Sequence, residues 1–129
     1  MRRGRVLLAL LPAAAYAAVI FWLSSQSNPL PFLSEALWDK LLHAVEFAGL
    51  GVLLVPALRS LGLDGWKALW VAVAVASAYA ATDEIHQAFV PDRNADVHDW
   101  MADTIGAALG ASAVSLVLRR RKPAASIRP

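Results

Sequence analysis

Four long apolar stretches constrain this chain more than any other feature, because each is long enough to cross a lipid bilayer as a helix. They cover residues 6–23, 41–58, 66–82 and 100–118. A membrane-spanning helix needs about 17–25 mainly apolar residues. The chain is 58% hydrophobic and 17% charged, whereas soluble domains average about 45–50% apolar and about 25% charged residues. The sequence therefore predicts an all-α, polytopic membrane protein with four transmembrane helices in a single domain, residues 1–129.

Lys and Arg residues are distributed unevenly around the four stretches. If the N-terminus, the second loop and the C-terminus lie on one side of the bilayer, that side holds ten of the twelve basic residues. Nine of the ten acidic residues, all except Asp64, then lie on the other side or just inside its membrane edge. Because an excess of Lys and Arg marks the cytoplasmic side, we predict that both termini are cytoplasmic. The basic residues on that side are Arg2, Arg3, Arg5, Arg59, Lys67, Arg119, Arg120, Arg121, Lys122 and Arg128.

Each end of the chain allows a second interpretation. Residues 1–18 have the basic start and apolar centre of a signal peptide, but the apolar run continues to Leu23, which favours an uncleaved first helix. The basic tail, residues 119–129, is typical of a cytoplasmic segment that contacts anionic lipid headgroups. We therefore expect the lipid bilayer, and not nucleic acid, as its partner. The chain has no cysteine, which excludes disulfides, thiolate metal sites and cysteine nucleophiles.

Polar and ionisable residues are concentrated at the outer ends of the last three predicted helices. Asp39, His43 and Glu46 fall within about 60° of one another on a helix that turns about 100° per residue. An ionisable group inside a span costs about 2.5–3.5 kcal/mol or more and normally faces a partner or a wet cavity. The sequence therefore predicts a polar, acidic pocket that opens to the outer leaflet. Its predicted lining is Asp39, His43, Glu46, Asp83, Glu84, His86, Asp99 and Asp103.

Simpler roles stay open for several of these residues. They are helix N-caps for Asp39 and Asp99, interhelical hydrogen bonds for His43 and His86, and solvent exposure for Glu84 and Asp92. These roles do not explain acids on three helices at one depth, namely Glu46, Asp83 and Asp103. The five tryptophans, in contrast, lie near the ends of the spans, where Trp anchors a helix at the membrane interface: Trp22, Trp38, Trp66, Trp70 and Trp100.

Four motifs in this chain resemble those of the VanZ-like family of small bacterial membrane proteins. They are F-W-L-S-S-Q at residues 21–26, D-K-L-L-H-A-V-E-F at residues 39–47, D-E-I-H-Q-A-F-V-P-D-R at residues 83–93 and D-W-M-A-D-T-I-G at residues 99–106. The resemblance covers roughly residues 21–110. Two positions depart from it, since Asp103 stands where the family commonly has asparagine and Asp92 stands where we expect glycine.

The resemblance implies a bacterial cytoplasmic (inner) membrane protein linked to glycopeptide resistance, because the founding member is associated with low-level resistance to teicoplanin. We predict that the pocket binds or acts on a cell-envelope lipid or peptidoglycan precursor and so lowers teicoplanin susceptibility. A non-enzymatic or transport-like role is favoured. The candidate ligand-binding residues are Ser25, Gln26, Asp39, Lys40, His43, Glu46, Asp83, Glu84, His86, Gln87, Arg93, Asp99 and Asp103.

The acidity of the predicted pocket supports an alternative, since carboxylates repel a phosphate unless protons or a divalent cation neutralise them. A Mg²⁺, Mn²⁺ or Zn²⁺ ion held by His and carboxylates could polarise a lipid phosphate. The protein would then be a metal-dependent lipid-phosphate hydrolase or transferase, with a divalent metal as its cofactor. The candidate metal ligands are His43, Glu46, Asp83 and His86, and the candidate catalytic residues are Asp83, Glu46, Asp99 and Asp103.

A third interpretation needs no pocket chemistry. The protein would then be a small structural subunit of a larger envelope complex, and its function would survive neutralisation of Asp83 and Glu46. The sequence leaves the oligomeric state and the identity of the ligand open.

Overall fold

The computed structural model describes residues 2–27 and 36–120. These residues form four helices, α1 (Arg2–Ser24), α2 (Ala36–Ser60), α3 (Gly65–Gln87) and α4 (Val97–Arg120). Each of the four is long and apolar enough to cross a membrane, which confirms the predicted all-helical protein with four candidate spans. The predicted basic tail continues beyond Arg120, outside the described residues.

The helices are longer than the apolar stretches that predicted them. α2 begins at Ala36 and α3 continues to Gln87, so both include polar residues that the apolar length left out. A helix satisfies its own backbone hydrogen bonds and can therefore continue past the hydrocarbon region. The N-cap role considered for Asp39 and Asp99 is consequently wrong, because both carboxylates lie in the first turn of their helices. An acid in the first turn still interacts favourably with the helix dipole.

Helices α1 and α3 run in the same direction. The Tyr79 hydroxyl of α3 donates to the Ala17 carbonyl oxygen of α1 at 2.6 Å. Further along both helices, the Ser24 hydroxyl donates to Asp83 Oδ2, also at 2.6 Å. Later residues of α1 thus contact later residues of α3, as they do only in parallel helices.

Helices α2 and α4 also run parallel to each other and form the most extensive interface of the bundle. His43 Nδ1 lies 3.0 Å from Asp103 Oδ1, and Gly110 packs against Ala48 further along. The described parts of the bundle thus have two distinct ends. The polar end is where α1 and α3 finish and α2 and α4 begin, and the basic end is the opposite one. The described charged side chains at the basic end are Arg59, Asp64, Lys67, Arg119 and Arg120.

Small residues fill much of the inside of the bundle, together with a few large ones such as Phe47 and Ile20, and many large apolar residues cover its outside. On α3, four alanines at every fourth position are fully buried, Ala68, Ala72, Ala76 and Ala80. By contrast, Leu7 is 70% exposed and Leu109 is 65% exposed. This distribution is typical of helices that pack through small residues and face lipid with their bulky side chains.

The closest helix approach is between α2 and α4. A Cβ atom at Gly106 would overlap the Ala44 carbonyl, and a Cβ atom at Gly110 would overlap the Ala48 carbonyl. Gly51 of α2 meets the backbone of Ala107 in the same way. We call these contacts the seam. Because the seam admits no side chain between the helices, it fixes how deep the polar residues of α2 and α4 lie relative to one another.

Candidate functional site

The polar end contains a small open pocket between the helices and the loop before α4. About 70 Å³ of it is available to the centres of water-sized molecules, enough for several waters or a small charged group and far below the roughly 300–1,000 Å³ of drug-sized ligand sites. Its lining combines three titratable side chains of α2, two acids and one histidine, with one arginine from the loop. The lining residues are Leu23, Ser24, Asp39, Leu42, His43, Glu46 and Arg93.

A tight turn after α3 brings Arg93 to this pocket. The Arg93 N–H donates to the Val90 carbonyl at 3.2 Å, and Asp92 has a φ of 61°. Proline at the second position and a positive φ at the third define a type II turn, in which glycine is preferred at the third position. This explains why glycine is expected where Asp92 stands. Asp92 is exposed, as predicted.

Arg93 is the cation at this pocket for which the described part of the chain supplies no carboxylate partner. It forms no ion pair within residues 2–27 and 36–120. Its buried Nε atom also has no hydrogen-bond partner there.

Lys40, in contrast, is fully engaged by acids. Its Nζ donates to Asp96 Oδ2 at 2.8 Å and to Asp99 Oδ1. The hydrogen bond from Lys40 holds the pKa of Asp96 below its ordinary value. Asp96 also accepts the His98 N–H at 2.8 Å, which makes it the N-cap of α4. Sequence reasoning did not select Asp96 as a site residue, although an aspartate directly before a helix is a recognisable capping signal.

Asp83 is held by neutral donors. Its Oδ2 accepts hydrogen bonds from Ser24 Oγ at 2.6 Å and from Gln87 Nε2 at 3.0 Å. Its other oxygen, Oδ1, is buried and has no partner among the described residues. The motif that ends α1 and the motif that ends α3 therefore meet at this carboxylate.

His86 also joins α3 to α1. Its ring stacks on Phe21 with the ring centroids 4.4 Å apart, and its Nε2 lies 3.0 Å from Ser25 Oγ. The Ser25 hydroxyl itself donates to the Phe21 carbonyl, so both bonds form when His86 carries a proton on Nε2. This is the interhelical role that the sequence left open for His86.

His43 lies at the centre of the polar end. His43 Nδ1 is 3.0 Å from Asp103 Oδ1, and His43 Nε2 is 4.0 Å from Asp99 Oδ2. Asp103 is fully buried, and Glu84 is 6% exposed, so the expectation that Glu84 is solvated is wrong. Glu84 is buried because its Oε2 accepts the Asp96 N–H at 2.7 Å and so ties the loop to α3.

Most of the predicted ligand-binding residues lie at the polar end, but they form separate groups. Gln26 points away from these groups and donates to the Trp22 carbonyl of its own helix. Ligand atoms of Asp39, His43 and Asp99 lie within 4.8 Å of one another, as do those of His43, Glu84 and Asp103. The predicted metal-ligand set of His43, Glu46, Asp83 and His86 is not a group of this kind within the described parts of the chain.

The five tryptophans lie on the outside of the bundle, with exposed fractions between 36% and 62%. Trp22, Trp38 and Trp100 are at the polar end, and Trp66 and Trp70 are at the basic end. This arrangement agrees with helix anchors and not with a ligand cage.

A comparison with protein-family models gives a match to the family described as VanZ/LLP1, over residues 2–118. The chain belongs to the VanZ/LLP1 family. The match extends from the start of α1 almost to the end of α4 and confirms the resemblance seen in the sequence motifs. A search of curated proteins and a search of solved structures each gave no match.

The four motifs that resemble the VanZ-like family all lie at the polar end. They close α1 and α3 and open α2 and α4, so residues far apart in the sequence of this VanZ/LLP1 protein share one small volume. A multi-pass membrane protein follows from the four candidate spans together with the family match.

Proposed function

We propose that this VanZ/LLP1 protein binds the phosphate-bearing headgroup of a cell-envelope lipid or peptidoglycan precursor at its polar end and thereby lowers susceptibility to teicoplanin. The observation that carries the proposal is the position of Arg93. Arg93 lines the pocket, and no described acid pairs with it. Arg is the residue best suited to bind a phosphate through two parallel, bidentate hydrogen bonds.

The size of the pocket supports recognition of the phosphate group and not of the whole lipid. A volume of about 70 Å³ excludes sugars, peptides and acyl chains, which must stay outside the bundle. The exposed apolar surface beside the pocket, including Phe21 and Trp22, is suited to contact with a lipid chain.

The acids of the polar end are less repulsive to a phosphate than their number suggests. Lys40 forms ion pairs with Asp96 and Asp99, and Ser24 and Gln87 donate hydrogen bonds to Asp83. Within the lining itself, Asp39 and Glu46 then face Arg93 and His43. Within the pocket lining, Arg93 thus offers a phosphate a positive charge that no described acid takes up in an ion pair.

We further propose that the polar end faces the outside of a bacterial cytoplasmic membrane and that both termini are cytoplasmic. The excess of Lys and Arg at the opposite end supports this orientation. The chain has no native cysteine, so single-cysteine variants give a clean test. A membrane-impermeant maleimide should label Asp92→Cys in intact cells and label Asp64→Cys only after permeabilisation. The reverse pattern would contradict the proposed orientation.

The functional test is the teicoplanin susceptibility of a sensitive host that expresses the wild type or variants at matched membrane levels. Arg93→Gln, His43→Ala, Glu46→Gln and Asp83→Asn should reduce protection to the level of the empty vector. Asp64→Asn is the matched control, because it neutralises an exposed acid at the basic end, and it should protect like the wild type.

Two results would contradict the proposal. If all variants protect equally, the polar end does not carry the activity and a structural role in an envelope complex becomes the better explanation. If the well-expressed wild type gives no protection, the link to teicoplanin does not hold for this chain.

Lipid extracted from purified protein should contain a phospholipid or polyprenyl phosphate that is depleted in Arg93→Gln.

A further inference from the structure

Two buried carboxylate oxygens beside His43 lack the hydrogen-bond donors that such atoms normally have. Glu84 Oε1 and Asp103 Oδ2 are both inaccessible to solvent and have no partner in the described part of the chain. Buried polar atoms are nearly always satisfied, so each exception needs an explanation such as an ion or a water. Both exceptions are on residues whose ligand atoms lie within 4.8 Å of each other and of His43.

The neighbouring donors are already committed elsewhere. Lys40 binds Asp96 and Asp99, and the Asp96 N–H binds the other oxygen of Glu84. Two partly unsatisfied carboxylates therefore face each other in the bundle interior, where the repulsion between like charges is screened least. A cation bound by both carboxylates would remove the repulsion and give each of them a further partner.

The third member of the group is suited to ligate the same cation. His43 Nδ1 is 3.0 Å from Asp103 Oδ1, and two ligands at right angles with bonds of about 2.1 Å are also about 3.0 Å apart. The other ring nitrogen, Nε2, faces Asp99 Oδ2 at 4.0 Å. At 4.0 Å this carboxylate makes no hydrogen bond to the ring but places a negative charge behind it, on the side where metal-ligating histidines commonly have a carboxylate.

We propose that His43, Glu84 and Asp103 bind a divalent cation of the Zn²⁺ or Mn²⁺ class. One imidazole with two carboxylates is a ligand set that these ions accept. His43 also lines the pocket, which gives the ion a route from solvent. The site goes beyond the proposed lipid function and does not depend on it, since a cation can bind here whether or not a lipid does.

The second group that contains His43 is a weaker cation site. Its members, Asp39 and Asp99, have no buried oxygen without a partner, and Asp99 already accepts a hydrogen bond from Lys40. The two groups share His43, so they must be separated by substituting their carboxylates.

The test is metal binding by the purified protein in detergent, prepared with a tag that contains no histidine and treated with a chelator. Titration with ZnCl₂ or MnCl₂ should give one ion per chain. Glu84→Gln, which can still accept the Asp96 N–H, should weaken binding at least tenfold, since even outer partners of metal ligands are worth about 10–100-fold in affinity. Asp64→Asn, at an exposed acid of the basic end, is the matched control and should leave the affinity unchanged, whereas Asp39→Asn should weaken binding less than Glu84→Gln does.

A second measurement keeps the proposal testable if Glu84→Gln does not fold. The chain has three histidines, so in the double variant His86→Gln and His98→Gln only His43 can give nitrogen coupling to bound Mn²⁺ in pulsed paramagnetic resonance. We expect that coupling, and its absence would overturn the proposal. Loss of binding in Asp39→Asn but not in Glu84→Gln would also overturn it, as would a folded wild type that binds no stoichiometric ion.

These outcomes are independent of those for the proposed function. Metal binding is measured without lipid or antibiotic. The susceptibility test, in turn, includes Arg93→Gln and Glu46→Gln, which change residues that are not among the three proposed metal ligands. A protein that binds the ion but gives no teicoplanin protection contradicts only the proposed function. A protein that protects but binds no ion contradicts only the metal site.

Discussion

Helices α2 and α4 contact each other in two ways along one interface. In the seam, Gly106 and Gly110 lie directly against the backbone carbonyls of Ala44 and Ala48. Within one turn of the seam, towards the polar end, the same two helices face each other through His43, Asp103 and their charged neighbours. The seam is closely packed and has no polar side chain, whereas the polar half leaves buried carboxylate oxygens without partners.

The difference separates stability from function. A small-residue contact stabilises a helix pair through close packing, and nothing about it requires a ligand. A buried oxygen without a partner destabilises the folded state by about 1–3 kcal/mol. An arrangement that costs stability at one end of an otherwise well-packed interface is typical of a binding site. The polar half is thus the half that we expect to have a chemical role.

The largest expected effect comes from breaking the seam. In Gly106→Ala the new methyl group collides with the Ala44 backbone, which cannot move aside as a flexible side chain could. Overpacking of this kind costs about 1–3 kcal/mol, so the free energy of unfolding in mixed detergent micelles should fall by at least that range. Gly4→Ala is the matched control, since its methyl group meets no atom within 4 Å. Equal stability of the two variants would show that α2 and α4 do not pack as described.

The next effect compares two carboxylates on one face of α4, Asp99, which Lys40 engages, and Asp103, whose Oδ2 has no partner among the described residues. Asp99 accepts a hydrogen bond from Lys40, and bonds to charged groups contribute about 1.5–3 kcal/mol, so Asp99→Asn should lower the free energy of unfolding by up to that range. Asp103→Asn should leave it unchanged or raise it when the protein is free of metal. The amide keeps an oxygen for His43 and removes a buried negative charge whose second oxygen, Oδ2, has no partner among the described residues.

Unfolding is measured for both variants in the same detergent with a chelator present. The comparison fails if Asp103→Asn is the more destabilising of the two, because the Asp103 carboxylate would then be a stabilising structural group.

The sequence predicted the architecture better than the pairing of the polar residues. Four spans and their polar end follow from apolar length and from acids at helix spacing, since the bilayer imposes both. The depth of each polar residue also depends on how the seam sets α2 against α4. A spacing of two glycines such as Gly106 and Gly110 predicts a close helix contact but does not say which helix makes it. For the same reason the partners of His43 were not foreseen. The burial of Glu84 depends on the loop N–H of Asp96, a contact that no periodicity encodes.

The smallest expected effect concerns the turn that places Arg93. Asp92 has a φ of 61°, where a side chain costs roughly 1–2 kcal/mol and glycine costs little. Replacing Asp92 by glycine removes this cost from the folded state. Part of the gain in stability is lost because glycine has greater freedom in the unfolded chain, so Asp92→Gly should raise the free energy of unfolding by about 0.5–1 kcal/mol.

Asn94→Gly is the matched control, because Asn94 is an exposed neighbour without a positive φ, and it should be neutral or slightly destabilising. Teicoplanin protection should be the same in Asp92→Gly as in the wild type, because the turn still delivers Arg93 to the pocket. A gain in stability together with a loss of protection would mean that the Asp92 carboxylate itself takes part in the site. The boundary of the polar end would then have to include an exposed acid that no described contact connects to the pocket.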